Sequence, residues 1–463
     1  MARPINPNPP VKVRIVKQKL SNGGYHVLER RVVYNAQKGY YEVLSSKLIG
    51  KLLPGHTDLA DMVPTDKFYS RNGKKKDVEK VQQVVGELPD PRAQERVIYP
   101  LDVALFVIVL AACAGKTTNY SIAEFWKCQR PILEKWIPDF PARDISHDTV
   151  RRLIALLGTE NAQDLISRFT NPLVVEMSQR VIALDGQAVR AASAQANTGR
   201  YALNVLDTDN ELCLNQVWIN EKENEITRAV EAIELLDLKG AIVTCDALNT
   251  QKKLCARVIS KGADYCMALK QNHKFLYEET EAWFHSEKVS SAAVYETTDL
   301  AHGRIETRVV KVLPSSVLEF SQDTIKEWAG LEEGCVVMTT TTRTDKKGKR
   351  LSEDTRYFIT SLNFEQTYIA ERVMRAIRNH WQIENGLHWR LDVTFNQDRT
   401  QCSNADYING RTRLNKIAYN VLSKLQANEE KDTGKVAPTM PTLMTRMMDV
   451  NLLIRSVVDL YRG

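Results

Sequence analysis

A chain of 463 residues is too long for one compact core, so two to four domains are expected. With 43% hydrophobic and 26% charged residues it has the composition of a globular protein, which excludes a largely disordered chain. No apolar run reaches the roughly 18 residues of a membrane span, and the opening residues lack a signal-peptide core. The eight scattered cysteines form no CxxC pair and indicate a cytoplasmic protein with reduced thiols and no zinc site.

The net charge of +6 is concentrated at the N-terminus. Residues 1–80 hold 16 Lys and Arg against 7 Asp and Glu, so the remainder of the chain has no positive excess. A basic arm favours a polyanionic partner, most simply nucleic acid. A solubilising tail would carry the same charge, so both interpretations stay open.

The first 95 residues divide into an arm and a linker. Short apolar runs separated by turn residues predict three strands within residues 11–53, which makes residues 1–53 a small basic β-rich arm. Residues 54–95 are interpreted as a polar, partly helical linker. It contains three candidate DNA contacts, Lys74, Lys75 and Lys76.

Residues 96–176 are predicted to be helical. The run LDVALFVIVLAACAG predicts a buried helix that ends at Gly115. Ser146 is the expected N-cap of a later helix that carries Arg151 and Arg152. These two arginines could face DNA or belong to an ordinary helix-bundle surface.

In residues 177–285 strands alternate with helices, which predicts an α/β sheet. Asp185 and Asp246 each stand at the end of a short apolar strand, where function gathers in open sheets of this kind. A third strand is followed by polar residues that could hold phosphates or form a solvated loop: Lys270, Asn272 and Lys274.

The rest of the chain is interpreted as a β-rich insertion over residues 286–365, a helical segment over 366–425 and a C-terminal helical tail over 426–463. Arg304 and Arg308 of the insertion could line a DNA channel or be strand-surface charge. In the helical segment, Glu384 lies among apolar side chains, and Trp381 and Trp389 beside it are expected in the core.

The spacing of apolar residues predicts one helix that leads into Glu384. Ile369, Val373 and Ile377 recur every four residues, and Glu384 lies seven after Ile377, on or near the buried stripe. Asn363 followed by Gln366 predicts the N-cap and capping box of this helix. A half-buried glutamate needs a partner, such as Arg378, His388 or a metal ion.

Three carboxylates brought together by this fold would repel one another unless cations were bound. Magnesium or manganese would remove the conflict, because hard cations prefer oxygen ligands. Two such ions about 4 Å apart can clamp the attacking and leaving oxygens of a phosphodiester. Asp392 is a rival third ligand, since it lies eight residues after Glu384 on the same helical face.

Five motifs occur in the order found in one family: IALDGQ, GAIVTCDAL, DYCMALKQNH, HGRIETR and HWQIENGLHWRLDVTF. Over about residues 100–425 the chain resembles the DDE-type insertion-sequence transposases, in the branch of the H-repeat-associated proteins. The resemblance implies an RNase H-like catalytic core with a β-rich insertion before the glutamate. It assigns the acidic triad to Asp185, Asp246 and Glu384, with two Mg²⁺ or Mn²⁺ ions per site and Asp185 bridging them.

The resemblance further implies a transposase that cuts element ends and transfers the 3′-hydroxyl to target DNA. Inverted-repeat DNA, target DNA and a second copy of the chain are the expected partners, without a membrane, in a nucleoid-associated cytoplasmic protein. His380 and His388 could contact DNA or support the carboxylates. Gln187 stands where relatives often have lysine, which could weaken a phosphate contact. A silent DNA-binding descendant and a nuclease of the same fold are the alternatives.

Overall fold

A computed structural model describes residues 12–19, 25–35, 40–52, 63–64, 78, 81, 88, 90–92, 97–137, 140–176, 179–189, 201–219, 225–301, 303–399, 402 and 404–461. The chain forms two compact units, one of Met1–Lys80 with Glu134–Asp139 and one of Val81–Leu133 with Phe140–Gly463. Lys74, Lys75 and Lys76, the proline-rich opening and most of the predicted linker lie outside the described residues. Among the described helices, none is both long and apolar enough to cross a bilayer.

The first unit contains the three strands that the sequence predicted and a short fourth one. They pair antiparallel in the order of the chain. Alternating apolar residues make such strands favourable, because one face of the sheet can be buried. The strands are β1 (Lys12–Lys19), β2 (Tyr25–Asn35), β3 (Tyr40–Leu52) and β4 (Val63–Pro64).

The second unit begins with the helices expected in residues 96–176. The first of them is buried along its length, as its continuous apolar sequence requires, and Gly115 follows it with a φ of 75°. Ser146 caps the third by accepting a hydrogen bond from the backbone N–H of Thr149, as predicted. The helices are α1 (Leu101–Cys113), α2 (Asn119–Trp136), α3 (His147–Leu156) and α4 (Leu165–Thr170), and the last three residues of α2 are assigned to the first unit.

A nine-stranded mixed sheet forms the centre of the second unit. Its strands are β5 (Val181–Ala188), β6 (Tyr201–Asp207), β7 (Leu212–Ile219), β8 (Ile242–Cys245), β9 (Asp264–Leu269), β10 (Ala293–Ala301), β11 (Arg304–Pro314), β12 (Cys335–Asp345) and β13 (Arg350–Thr360). They lie in the order β10-β11-β12-β13-β9-β8-β5-β6-β7. The five strands β7-β6-β5-β8-β9 have an antiparallel meander beside two parallel strands, which is the RNase H-like arrangement.

The β-rich segment of residues 286–365 is continuous with this core. Its last strand, β13, pairs antiparallel with β9, so that Tyr357 lies opposite Leu269. The segment therefore extends the central sheet instead of forming a separate layer. Strands β10 and β11 of this segment also contact the helix of residues 369–380.

Helices cover the sheet and complete the unit. The longest helix buries polar and charged side chains, and two of them bind backbone groups of its neighbours. Arg413 donates to the carbonyl oxygens of Leu157 and Thr159 at 2.7 and 2.8 Å, and Asn420 donates to that of Cys213 at 2.8 Å. The helices are α5 (Glu225–Glu234), α6 (Lys252–Ser260), α7 (Lys274–Phe284), α8 (Gln322–Lys326), α9 (Ile369–His380), α10 (Trp389–Val393), α11 (Ala405–Thr433), α12 (Met440–Arg446) and α13 (Val450–Leu460).

The predicted start of α9 is wrong. Asn363 accepts a hydrogen bond from the backbone N–H of Glu365 and so closes a turn, and the helix begins only at Ile369. Tyr368 precedes the helix with a φ of 58°, and its side chain makes no capping bond. The capping-box pattern is therefore used by a local turn, which competes for the same backbone groups.

Two glycines allow α3 and α11 to approach closely. A Cβ on Gly410 would lie 1.8 Å from the carbonyl oxygen of Ile154, and one on Gly158 would lie 1.7 Å from that of Asp406.

We expect Gly410→Ala to lower the free energy of unfolding by at least ~1–3 kcal/mol, because rigid backbone must move to admit the methyl group. Thermal unfolding would measure this, with Gly386→Ala as control because its Cβ meets nothing within 4 Å. Equal melting temperatures would contradict the close approach.

Candidate active site

Asp185 and Asp246 lie side by side where the parallel pairing of β5 with β8 ends. The prediction that the first strand ends at Asp185 is wrong, because β5 continues to Ala188 beside β6. Strands β5 and β8 are adjacent and parallel, and their register pairs Leu184 with Cys245. Asp185 is the next residue of β5 and Asp246 is the residue that follows β8, so the two acids take equivalent positions on neighbouring chains of the sheet. The loop after β8 orients Asp246, whose Oδ1 accepts from the backbone and side-chain N–H groups of Asn249, both at 3.1 Å.

Glu384 reaches the same place from a distorted helix. Helix α9 ends at His380 and is followed by a π-helix, Ile383–His388. In this segment Ile383, Leu387 and Leu391 take the buried face and Glu384 points outward. The expectation of a half-buried Glu384 is therefore wrong: the side chain is exposed. A π-turn inside helical structure is frequent at functional sites.

One cavity of about 610 Å³ is lined by all three carboxylates, Asp185, Asp246 and Glu384. Asp392, the rival ligand, is not among the lining residues; its Oδ1 instead accepts from Nε2 of Gln187 at 3.1 Å. Across the described residues, no group of three or more His, Cys, Asp or Glu side chains could hold one metal ion together. The three acids thus share a cavity but not a single coordination point.

Gln187 does not face this cavity. Its side chain is only 5% exposed and joins β5 to α10 through Asp392. The expectation that glutamine weakens a phosphate contact here is therefore wrong, because the residue points into the protein. A lysine at this position would meet the Asp392 carboxylate.

Two histidines lie next to the acids, and both are neutral at pH 7. Burial lowers the pKa of His380 to about 4, against the opposing effect of Asp246, and its Nδ1 lies 3.0 Å from Oγ1 of Thr244. Burial, together with Lys416 and His380, lowers the pKa of His388 to about 3. His380 lines the cavity, whereas His388 lies beneath it and is 9% exposed.

The polar residues after β9 have three different positions. Lys270 is exposed and lines the cavity. Asn272 donates through Nδ2 to the carbonyl oxygen of Ala247 at 3.0 Å, which ties its loop to the residue after Asp246. Lys274 is exposed and lies 3.8 Å from Oε1 of Glu278.

A second cavity, of about 640 Å³, adjoins the acidic one. Arg356 and Trp381 line both cavities, and the Arg356 guanidinium lies over the indole ring, 4.9 Å from its centre. Trp381 and Trp389 are 39% and 56% exposed, so their expected place in the core is wrong. The second cavity is lined by six arginines: Arg304, Arg308, Arg343, Arg356, Arg378 and Arg390.

Four of these arginines were not proposed as DNA contacts from the sequence; one of them, Arg378, was expected as a partner of Glu384 and instead forms an ion pair with Asp299 at 3.0 Å. Arg304 and Arg308 lie on one face of β11, since alternate strand residues share a face. Register continues that face across β12 and β13, where Glu306 pairs with Arg343 and Thr339 with Arg356. The alternation of polar residues in these strands indicated one polar face on each strand. The register that aligns the three strands cannot be read from any local stretch of the sequence.

The remaining DNA candidates, Arg151 and Arg152, lie on α3, away from either cavity's lining. Both are exposed and form ion pairs with Asp148, at 3.1 and 2.6 Å. Arg151, followed by Arg152, holds the pKa of the Asp148 carboxyl below its usual value. Exposed pairs of this kind open easily, so the arginines stay accessible to another anion.

Comparison with known proteins agrees with the geometry. Residues 176–421 match the family described as Transposase DDE domain, and residues 82–170 match the one described as DDE_Tnp_1-associated. The chain is 27% identical over 353 residues to the "H repeat-associated putative transposase YhhI" of Escherichia coli K12, covering 75% of this chain and 91% of that protein. It is 29% identical over 350 residues to the "Putative transposase YncI" of Escherichia coli O157:H7, covering 74% and 87%.

Among solved structures, a piggyBac transposase in a synaptic complex with hairpin DNA aligns with 83% of this chain and 78% of its own, at 11% identity and a TM-score of 0.38. The assignment rests on the family match, which spans more than half of the chain and includes β5, β8 and the π-helix. The chain belongs to the transposase DDE domain family, in its H-repeat-associated branch, and is a DDE transposase that acts on DNA.

Proposed function

We propose that Asp185, Asp246 and Glu384 form the metal-dependent centre with which this transposase cuts the ends of its element. The observation that carries the proposal is the single cavity lined by all three carboxylates at the edge of an RNase H-like sheet. The family is generally dependent on divalent metal ions.

The donor set fits magnesium or manganese. The three candidate ligands supply only carboxylate oxygens, which hard divalent cations prefer. Within the described part of the chain no three acids meet at one point, so each ion would be held by a pair, with Asp185 common to both pairs. Asp185 suits that role because it lies between Asp246 on the neighbouring strand and the π-helix that carries Glu384. When bound, the ions would activate the attacking oxygen and stabilise the leaving one.

The DNA strand would pass from the acidic cavity into the arginine-lined one. Three acids also line that second cavity, Glu211, Glu306 and Asp354, and Asp299 forms ion pairs with Arg308 and Arg378. Six arginines against these four acids leave a net positive charge. Phosphates are the anions that arginine forks bind well. Trp381, exposed at the boundary of the two cavities, offers a flat surface on which a base could stack.

The proposed reaction gives roles to the other basic residues and to a second copy of the chain. Lys270 would bind a phosphate at the mouth of the acidic cavity, and Arg151 and Arg152 would contact DNA further away. The basic sheet of β1–β4 is a candidate arm for the inverted repeats. Two element ends require two centres, so a homodimer assembled on DNA is the expected active form.

The test is to incubate the full-length protein with labelled element ends, a target plasmid and Mg²⁺. Joined product supports a transposase that completes strand transfer, and cut product alone would leave a nuclease. Bound but uncut DNA would contradict the proposed centre. Omitting the metal should abolish cutting and joining together.

The arginine-lined cavity gives a prediction of its own. We expect the double variant Arg304→Gln, Arg343→Gln to weaken binding of element ends and to reduce the dependence of log Kd on log salt by about 0.7–0.9 for each phosphate that is no longer neutralised. Arg257→Gln is the matched control, since Arg257 forms an exposed ion pair with Glu234 on another face. Titrations at several salt concentrations would measure the slopes. Equal slopes for both variants would place the DNA elsewhere.

A further inference from the structure

His388 connects the two elements that carry the acids. It is the last residue of the π-helix, four residues after Glu384. Its Nδ1 lies 3.7 Å from Oδ2 of Asp185, and its Nε2 lies 3.0 Å from Nδ2 of Asn204. Asn204 is fully buried on β6 and lies directly opposite Asp185 in the register of the two strands. The imidazole ring is therefore placed between a buried amide and the carboxylate.

The partners determine where the proton of the ring resides. The amide N–H of Asn204 donates to Nε2, so the neutral ring carries its proton on Nδ1. That N–H faces the carboxylate of Asp185. The reverse orientation of the amide would put the proton on Nε2 and leave a lone pair of Nδ1 against a carboxylate oxygen, which is repulsive. At 3.7 Å the two atoms are beyond an ordinary hydrogen bond, and a small side-chain rotation would bring them within reach.

We propose that His388 is a positioning residue, which donates its Nδ1–H to Asp185 and so holds that carboxylate in the orientation that a divalent metal ion requires. The inference rests on the proposed metal-binding role of Asp185. The same contact fixes the π-helix, and with it Glu384, against β5. Because His388 is buried beneath the cavity floor, it supports the carboxylate and does not touch DNA. Groups that orient a metal ligand typically change metal affinity or activity ~10–100-fold when removed.

The test measures metal binding directly, by calorimetric titration of the full-length protein with Mn²⁺ in the absence of DNA. His388→Phe keeps a flat ring but removes the donor, and we expect it to weaken Mn²⁺ binding by about 10–100-fold. His388→Gln, whose amide can donate to Asp185, should recover most of that loss. Asn204→Leu leaves the ring free to adopt either tautomer and should cause a smaller loss in the same direction.

If His388 only stabilised the fold, its substitution would leave the affinity for Mn²⁺ unchanged. Leu453→Ala, in the buried face of α13, serves as control because it lowers stability without touching the site. If His388→Phe lowers the melting temperature as Leu453→Ala does but binds Mn²⁺ like the unaltered protein, the positioning role is overturned. If Asp185→Asn also binds Mn²⁺ unchanged, the proposed centre fails as well. If Asp185→Asn binds Mn²⁺ weakly while His388→Phe binds it normally, only the role of His388 is overturned.

Discussion

Asp185→Asn is expected to reduce cleavage of element ends by more than ~10³-fold while leaving the binding of those ends intact. Asparagine has nearly the same shape but removes a charged oxygen ligand from the position common to both proposed metal pairs. Charge stabilisation by a bound ion contributes several kcal/mol to such a transition state, and each 1.36 kcal/mol is a factor of ten in rate. Single-turnover cleavage of a labelled end, beside anisotropy measurements of binding, separates the two effects.

The matched control for this substitution is Asp237→Asn. Asp237 is an exposed turn residue just before β8, where its Oδ1 accepts from the backbone N–H of Lys239 at 3.1 Å. It therefore lies at the opposite end of the strand that delivers Asp246. This variant should cleave at the normal rate. If Asp185→Asn lost end binding along with cleavage, the residue would serve DNA recognition or folding and not the metal.

Strand-end positions explain why two members of the site were found from sequence. The apolar runs before Asp185 and Asp246 are short, continuous and bounded by turn residues, which is typical of buried parallel strands. Once both runs belong to one sheet, the direction of parallel strands brings their carboxyl ends to one edge. The register of Leu184 with Cys245 then follows from packing.

The geometry around Glu384 could not be predicted in the same way. Continued at 3.6 residues per turn, the stripe of Ile369, Val373 and Ile377 comes close to Glu384, whereas the buried residues around Glu384 are Ile383, Leu387 and Leu391. The residues from Ile383 to His388 form a π-helix, which an extrapolated 3.6-residue period does not predict.

The arginine-lined cavity depends on pairings between distant residues. Strand β13 lies beside β9 through contacts such as Tyr357 with Leu269, and the long α11 helix buries Arg413 and Lys416 against its neighbours. Neither relation has a local sequence pattern, since hydrophobic periodicity reports which face is buried but not which partner covers it. The sequence could therefore suggest Arg304 and Arg308 without showing that Arg343 and Arg356 share their face.

Glu384→Gln and Asp392→Asn should separate the two candidates for the third ligand. Glu384 lines the cavity, so its loss of charge is expected to slow cleavage by more than ~10³-fold. Asp392 accepts a hydrogen bond from Gln187, and an asparagine oxygen can still accept it, so Asp392→Asn should stay within about tenfold of the normal rate. The same single-turnover assay measures both variants. The opposite ranking would make Asp392 the ligand and would require the segment after α9 to rotate when metal binds.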